Sequence, residues 1–297
     1  MVRAVRRLVT VGEVRDALRT ARAGGRRVAF VPTMGALHAG HLALARAARA
    51  ACDVALVSIF VNPAQFGPGT DLARYPRDLA GDEALLRPLG VDFTFAPKVE
   101  EIYPPGSATW VEVESLTDLL DGASRPGYFR GICTVVAKLF QIVQPDVAFF
   151  GQKDIQQAVT IRRLARDLCF PVDVRIHPTV RAEDGLALSS RNAYLSPAER
   201  ALAPALYGAL CAARARFEEG ERDARLLVAA AREALARTPE LSVDYVDLVA
   251  LETMQRLARV DEPACLAAAV VLRGTRLIDN LLLLPEGSQE APAGGAW

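Results

Sequence analysis

The chain is predicted to adopt an α/β fold: a parallel sheet with helices on both faces, followed by a smaller α+β unit. Three observations carry this expectation. As far as about residue 180, short apolar runs alternate with helix-length amphipathic segments, as buried parallel strands and their crossover helices require. Beyond that point the alternation stops, and two helical segments precede three strand-like runs. The residues with chemical potential cluster where an apolar run hands over to a helix, which is where open α/β sheets bind ligands.

Taken in order, Val11 to Ala23 reads as a first helix stopped by Gly24-Gly25, and Arg27 to Val31 as a buried strand ending at Pro32. Ala39 to Ala51 is Ala/Leu-rich and helical, and Asp53 to Val61 is a second buried strand ended by Asn62-Pro63. Leu72 to Leu89 is helical in part, with Pro76 setting its start; Val91 to Ala96 is a third strand; Thr109 to Val113 is a strand candidate beyond the Pro104-Pro105-Gly106 turn. Ile132 to Val143 and Asp154 to Leu168 are helices that alternate with strands at Asp146 to Phe150 and Val172 to Ile176. The sum is a Rossmann-like sheet over residues 1–180. In residues 181–285, Pro197 to Glu219 and Arg222 to Thr238 read as two helices. Val243 to Val249 alternates as a half-exposed strand should, and Leu266 to Leu272 and Arg276 to Leu284, broken at Gly274, form an antiparallel pair. Residues 286–297 are Gly/Pro/Ala-rich and read as a disordered tail.

Composition narrows the function classes. Lys plus Arg equals Asp plus Glu at 35 each, so there is no global electrostatic case for nucleic-acid binding. Cys52, Cys133, Cys169, Cys211 and Cys265 are odd in number, widely spaced and without a CxxC, which fits a reducing cytoplasm better than a disulfide framework or zinc knuckle. No segment approaches the roughly 20 apolar residues of a membrane span.

The first chemical segment is Val31-Pro-Thr-Met-Gly-Ala-Leu-His-Ala-Gly-His41. Gly35 and Gly40 permit close backbone approach, and the following helix offers unpaired N–H groups to a phosphate. His38 and His41, three apart, share a helical face; each can donate to a phosphate oxygen, and either could be cationic there. A metal pair is the rival reading, but His177 stands alone and no third ligand is near. There is neither a P-loop nor a GxGxxG fingerprint. Ser58 to Phe66 places Asn62 and Gln65, neutral amides suited to a hydroxy acid, at the end of the next strand. Asp71 to Arg77 contains Tyr75. Arg125-Pro-Gly-Tyr-Phe-Arg-Gly131 is a basic turn before a helix. Phe149 to Gln157 repeats the strand, Gly turn and helix start, with Lys153 as a mobile charge, Asp154 as a helix cap able to meet a ribose or a magnesium-bound water, and Gln157 one turn on. Arg181 to Asn192 contains Ser189, Ser190 and Arg191, two hydroxyls and a guanidinium that make a short phosphate clamp.

Pro-Thr-Met-Gly-x-Leu-His-x-Gly-His resembles the signature of the pantothenate synthetases, a branch of the HxGH nucleotidyltransferases, and the other segments occur in that family's order from about Val9 to Leu284. The resemblance implies ATP-dependent joining of pantoate to β-alanine through a pantoyl-adenylate. It implies ATP contacts at Met34, Gly35, His38, His41, Gly151, Gln152, Lys153, Asp154, Val180, Leu188, Ser189, Ser190 and Arg191, with His41 as general acid and His38 and Lys153 beside it. Pantoate contacts follow at Asn62, Gln65 and Gln157, with Gln65 also orienting β-alanine. Tyr75 and Asp82 fall near the family's ATP and Mg²⁺ contacts, with Asp82 the candidate metal ligand. Family members usually carry His at Tyr128 and often Glu at Gln152. The resemblance also implies a homodimer formed through the larger domain. Two further readings are a nucleotidyltransferase acting on a phosphorylated acceptor and a nucleotide-binding regulatory module.

Overall fold

The computed structural model describes residues 5–67 and 71–286, so the expected tail lies outside the described residues except for Glu286. Strand β1 (Arg6–Leu8) opens the chain. Helix α1 (Val11–Ala23) follows, its Thr10 and Glu13 forming a reciprocal capping box. Then come β2 (Val28–Thr33), α2 (Ala39–Ala51), β3 (Val54–Ile59), α3 (Leu79–Leu86), β4 (Phe93–Phe95) and the single turns α4 (Val99–Ile102) and α5 (Asp121–Ser124). The large unit ends with α6 (Tyr128–Val143), β5 (Val147–Gly151), α7 (Ile155–Asp167) and β6 (Asp173–His177). Beyond it lie α8 (Pro197–Leu202), α9 (Ala205–Glu218), α10 (Ala224–Leu235), β7 (Leu241–Ala250), β8 (Ala264–Leu272) and β9 (Thr275–Leu283).

The first six strands form one parallel sheet in the order β1-β4-β3-β2-β5-β6, and the last three form an antiparallel sheet, β7-β8-β9. The parallel order runs outward from β2 through β3 and β4 on one side and from β5 to β6 on the other. The switch point therefore lies between β2 and β5, and ligands of such sheets bind in the crevice at its carboxyl ends. The turn after β2 carries the histidines and the turn after β5 carries Lys153, so topology alone brings these two segments together.

Phe30, Phe95, Phe140 and Phe149 are fully buried, each side chain stabilising the fold by about 2–3 kcal/mol through burial. Alternate residues of the parallel strands face opposite sides. Phe30 and Leu56 pack with α1 and α6, while Ala29 and Val31 pack with Leu44, Ala45 and Ala48 of α2. The smaller sheet behaves likewise. Leu248, Leu266 and Val270 pack with α9 and α10, whereas Val249, Cys265 and Ala267 join the core of the larger sheet.

Several local expectations are corrected. β1 has too few residues to show periodicity. β2 runs through Pro32 on its β3 side; its pairing with β5 covers only Ala29 and Phe30, so the proline lies beyond that ladder. Helix α3 begins at Leu79 because Asp78, not Pro76, caps it, accepting from the Gly81 N–H. The 109–113 stretch makes no strand pairing among the described residues. Helix α6 starts at Tyr128, a turn earlier than expected. Pro204 lacks an N–H and divides the expected 197–219 helix into α8 and α9. β7 is exposed only in its first half, because Val246 and Leu248 to Ala250 are buried against β8 and its neighbours.

Candidate active site

Residues 33–38 form a tight turn with Gly35 at φ +82° and Ala36 at φ +51°. Two carboxylate bonds hold this left-handed stretch. Asp82, 4% exposed, accepts the backbone N–H of Ala36 at 3.0 Å and of Leu37 at 2.7 Å. Asp82, the candidate metal ligand, props the turn from behind, each of its oxygens accepting one of these N–H groups. A Cβ on Gly35 would lie 2.8 Å from the Asp82 carboxylate and 3.0 Å from Ile59, so the turn requires glycine here.

The same turn delivers the histidines. His38 is the N-cap of α2: its Nδ1 accepts the Gly40 N–H at 3.2 Å, and His41 Nδ1 accepts the His38 N–H at 3.3 Å. An imidazole nitrogen that accepts carries no proton, so each neutral ring holds its proton on Nε2. Burial, reinforced by the Lys153 charge, pushes His38 down to about 4. Burial, then the neighbouring His38 and Lys153, pushes His41 down to about 3. As the cleft stands, both rings are neutral hydrogen-bond donors.

A cavity of about 190 Å³ opens in front of these rings. It is lined by His38, His41 and Met34 from the first turn, Gln65 from the second, Lys153, Asp154 and Gln157 from the third, and Val180, Ser189, Ser190 and Arg191 from the segment that leads to the smaller unit. Lys153 lies 3.8 Å from the Asp154 carboxylate. Ser189 caps its own turn by accepting from the Arg191 N–H, and the Ser190 hydroxyl donates to the Ala36 carbonyl at 3.0 Å, tying the serine segment to the histidine turn. Tyr75, 5% exposed, lines the same wall.

Three of the residues expected at the site are also engaged within the protein. Asn62 lines the cavity but all four of its hydrogen-bonding positions are taken. Its Nδ2 donates to Gln65 Oε1 and to the Gly131 carbonyl, both at 3.1 Å, and its Oδ1 accepts from the Ala64 N–H and the Tyr103 hydroxyl. Asn62 thus orients Gln65, whose Nε2 faces the Met34 sulfur at 3.0 Å. The Gln152 side chain turns away to Asn280 Oδ1 at 3.3 Å. Leu188 donates its N–H to the Val180 carbonyl and so fixes Val180.

Other residues in and around the site carry no motif that sequence reasoning could use. Asn280 Nδ2 donates to the carbonyls of Gln152 and Lys153 at 2.9 and 3.0 Å, holding the lysine turn from β9. Asp279, 2% exposed on its side chain, receives both guanidinium nitrogens of Arg181. Thr179 lines the cavity beside Val180, and its buried hydroxyl has no partner among the described residues.

A parallel sheet that brings two neutral imidazole donors, a lysine and a guanidinium to one cleft at its switch point defines an α/β enzyme for anionic substrates. Comparison with known proteins narrows that class. The family model for Pantoate-beta-alanine ligase matches residues 6–282, and the chain belongs to that family. It is 52% identical over 276 residues to the pantothenate synthetase of Moorella thermoacetica, covering 93% of this chain and 98% of that protein. It is 54% identical over 267 residues to that of Chloroflexus aggregans, covering 90% and 96%. The crystal structure of pantothenate synthetase from Thermus thermophilus superposes with a TM-score of 0.90 at 52% identity, covering 95% of this chain and 100% of that one. The pantoate-beta-alanine ligase of Francisella tularensis, solved in complex with beta-gamma ATP and beta-alanine, superposes with a TM-score of 0.77 at 32% identity, over 94% and 98% of the two chains.

Proposed function

We propose that this ligase joins (R)-pantoate to β-alanine in two steps within the cleft. A pantoate carboxylate oxygen attacks the α-phosphorus of ATP; the new O–P bond forms as the bond to pyrophosphate breaks. The uncharged amine of β-alanine then attacks the acyl carbon: a C–N bond forms, the C–O bond to AMP breaks, and the nitrogen gives up one proton to the departing phosphate or to water. ATP solves a chemical problem, since a free carboxylate is a poor electrophile. The acceleration is positioning and electrostatics, with no covalent bond to a side chain.

The observation that supports this reading best is the use of both Nδ1 atoms as caps, which leaves the Nε2–H groups of His38 and His41 as the rings' donors in the cavity that Lys153 and Arg191 also line. These groups, with Ser189 and Ser190, would take the triphosphate, and Val180 and Thr179 the adenine. Gln65 and Gln157 would hold pantoate, with Gln65 also orienting β-alanine. Magnesium would supply charge neutralisation as part of the triphosphate complex. Among the described residues no group of three or more His, Cys, Asp or Glu side chains forms a cage for it, which suits an ion held mainly by phosphate oxygens and water.

The unit of residues 181–285 would close over the cleft, with 1–180 as its base. Homodimerisation through the larger unit belongs to the same proposal; it is supported by the unpaired 109–113 stretch, where Trp110 is 45% exposed. A cytoplasmic setting is supported by five free cysteines. No described helix is long and apolar enough to cross a membrane, and the balanced charge argues against a nucleic-acid partner.

Pyrophosphate–ATP isotope exchange tests the scheme. Exchange should require pantoate but not β-alanine, and AMP release should need all three substrates for full rate. His41→Ala and Lys153→Ala should each lower exchange by about 100-fold or more while the variants keep their far-ultraviolet circular dichroism. Exchange without pantoate, or near-normal rates in either variant, would refute the assignment.

A further inference from the structure

A second cavity, of about 750 Å³, adjoins the first, and Tyr128, Lys153, Asp154, Ser189 and Arg191 line both. Arg125 lies on its wall. The Arg125 guanidinium carbon sits 3.4 Å from the centre of the Tyr128 ring, and its Nη2 reaches the Gln65 carbonyl at 3.5 Å. That contact is long, and Arg125 has no carboxylate partner among the described residues. Its neighbours differ: Arg276 is paired with Asp121 and Asp244, and Arg181 with Asp279. The nearby carboxylates are also engaged, Asp121 by Arg276 and the Tyr245 hydroxyl, Asp244 by Arg276 and the Ser124 hydroxyl. Burial pushes the Tyr128 phenol up to about 12, so the ring under the guanidinium stays neutral.

Resting on the reaction proposed above, we propose that Arg125 is the receptor for the spectator carboxylate of β-alanine, and that the Tyr128 ring is its positioning residue. β-Alanine brings one anionic group to the reaction that takes no part in bond making. Its amine and carboxylate are about 5 Å apart when extended, so the carboxylate must be held close to the acyl carbon but outside the triphosphate clamp. Arg125 meets that requirement: it touches the backbone of Gln65, at the acid end of the first cavity, and opens on the second, through which a small amino acid can enter. A guanidinium laid flat on an aromatic ring keeps its N–H edge free for a two-pronged bond to a carboxylate, and the weak bond to the Gln65 carbonyl holds it in place until the carboxylate displaces it. The Tyr128 hydroxyl has no part in this arrangement.

The test separates the two half-reactions. Arg125→Ala should raise the KM for β-alanine by about 10- to 100-fold, and the loss in turnover at low β-alanine should exceed any loss in pyrophosphate–ATP exchange by at least about tenfold. Arg125→Lys, which keeps the charge without the flat edge, should fall between. Tyr128→Leu should raise the same KM, and Tyr128→Phe should restore it to within about threefold. Propylamine, which carries a methyl group where β-alanine has its carboxylate, should be rejected by the parent enzyme, and that discrimination should shrink in Arg125→Ala. Exchange and overall turnover falling together would place Arg125 on the triphosphate and overturn the inference; an unchanged KM for β-alanine would do the same. A parent enzyme that forms no AMP from pantoate, ATP and β-alanine would overturn the reaction itself, a result distinct from either.

Discussion

A histidine at a helix N-cap gives up one ring nitrogen to the backbone, and that fixes what the other can do. His38 and His41 both accept an N–H through Nδ1, and burial keeps both rings neutral, down to about pH 4 and about pH 3 respectively. The unfolded chain takes up these two protons near pH 6.5. Between about pH 6.5 and 4 the unfolded state therefore binds more protons than the native state, so stability falls as pH falls, by up to about 1.4 kcal/mol per pH unit for each ring. Above about pH 6.5 the pair adds no pH dependence. Urea midpoints at several pH values should show this slope, and a His38→Gln/His41→Gln double variant should flatten it; an equal slope in both proteins would show that the rings titrate normally. The spacing of the two histidines and their flanking glycines was legible in the sequence. The tautomer was not, because it depends on which nitrogen meets which N–H. Asn62 teaches the same lesson: its amide was visible, but the Tyr103 hydroxyl that occupies it comes from 41 residues away.

At the scale of the element, the turn between β2 and α2 is shaped from three sides. Asp82 holds it from behind, Ser190 from the front, and Gly35 supplies the left-handed backbone. Gly35→Ala would strain that backbone and push a methyl group into the Asp82 carboxylate. We expect it to cost about 1–3 kcal/mol of stability and at least about tenfold in exchange rate, since an ångström of displacement in a positioning turn is enough. Asp82→Asn, which offers an N–H where an oxygen accepted one, should produce the same pattern without the steric strain. Thermal melts and exchange rates measure both, and wild-type behaviour in Gly35→Ala would show that the turn is not held as described. Long helices and buried strands were readable from apolar runs. Positions fixed by a single hydrogen bond or a missing N–H, such as the Asp78 cap and the break at Pro204, were harder to read. The bracing role of Asp82 was not legible because its backbone partners lie more than 40 residues away in the chain.

Across the whole molecule, the small sheet does more than sit beside the large one. Its strand β9 braces the lysine turn through Asn280 and the entry to the serine clamp through the Asp279–Arg181 pair. Its edge is also latched to the 121–124 segment, where Arg276 bridges Asp121 and Asp244, Tyr245 donates to Asp121, and Ser124 donates to Asp244. None of this was legible in the sequence, because strand order and sheet-to-sheet contacts join residues as many as 155 positions apart; Arg276 to Leu284 read only as one strand of an antiparallel pair. An acyl-adenylate hydrolyses readily, so if the 181–285 unit covers the cleft as proposed, whatever holds that cover down also protects the intermediate. Arg276 is the hub of the latch: burial disfavours its charge, but Asp121 and Asp244 more than compensate and hold its pKa above the ordinary value. Arg276→Gln would leave Asp121 with a weaker partner and let the cover open more often. The expected result is not simply a slower enzyme. Pantoate-dependent AMP release without β-alanine should rise relative to pantothenate formation, by about three- to tenfold for a latch worth about 1 kcal/mol or slightly more. Measuring AMP and pantothenate in the same reaction gives the ratio directly. If the ratio stays at its parent value while the melting temperature drops, Arg276 supports the fold and the latch does not guard the intermediate.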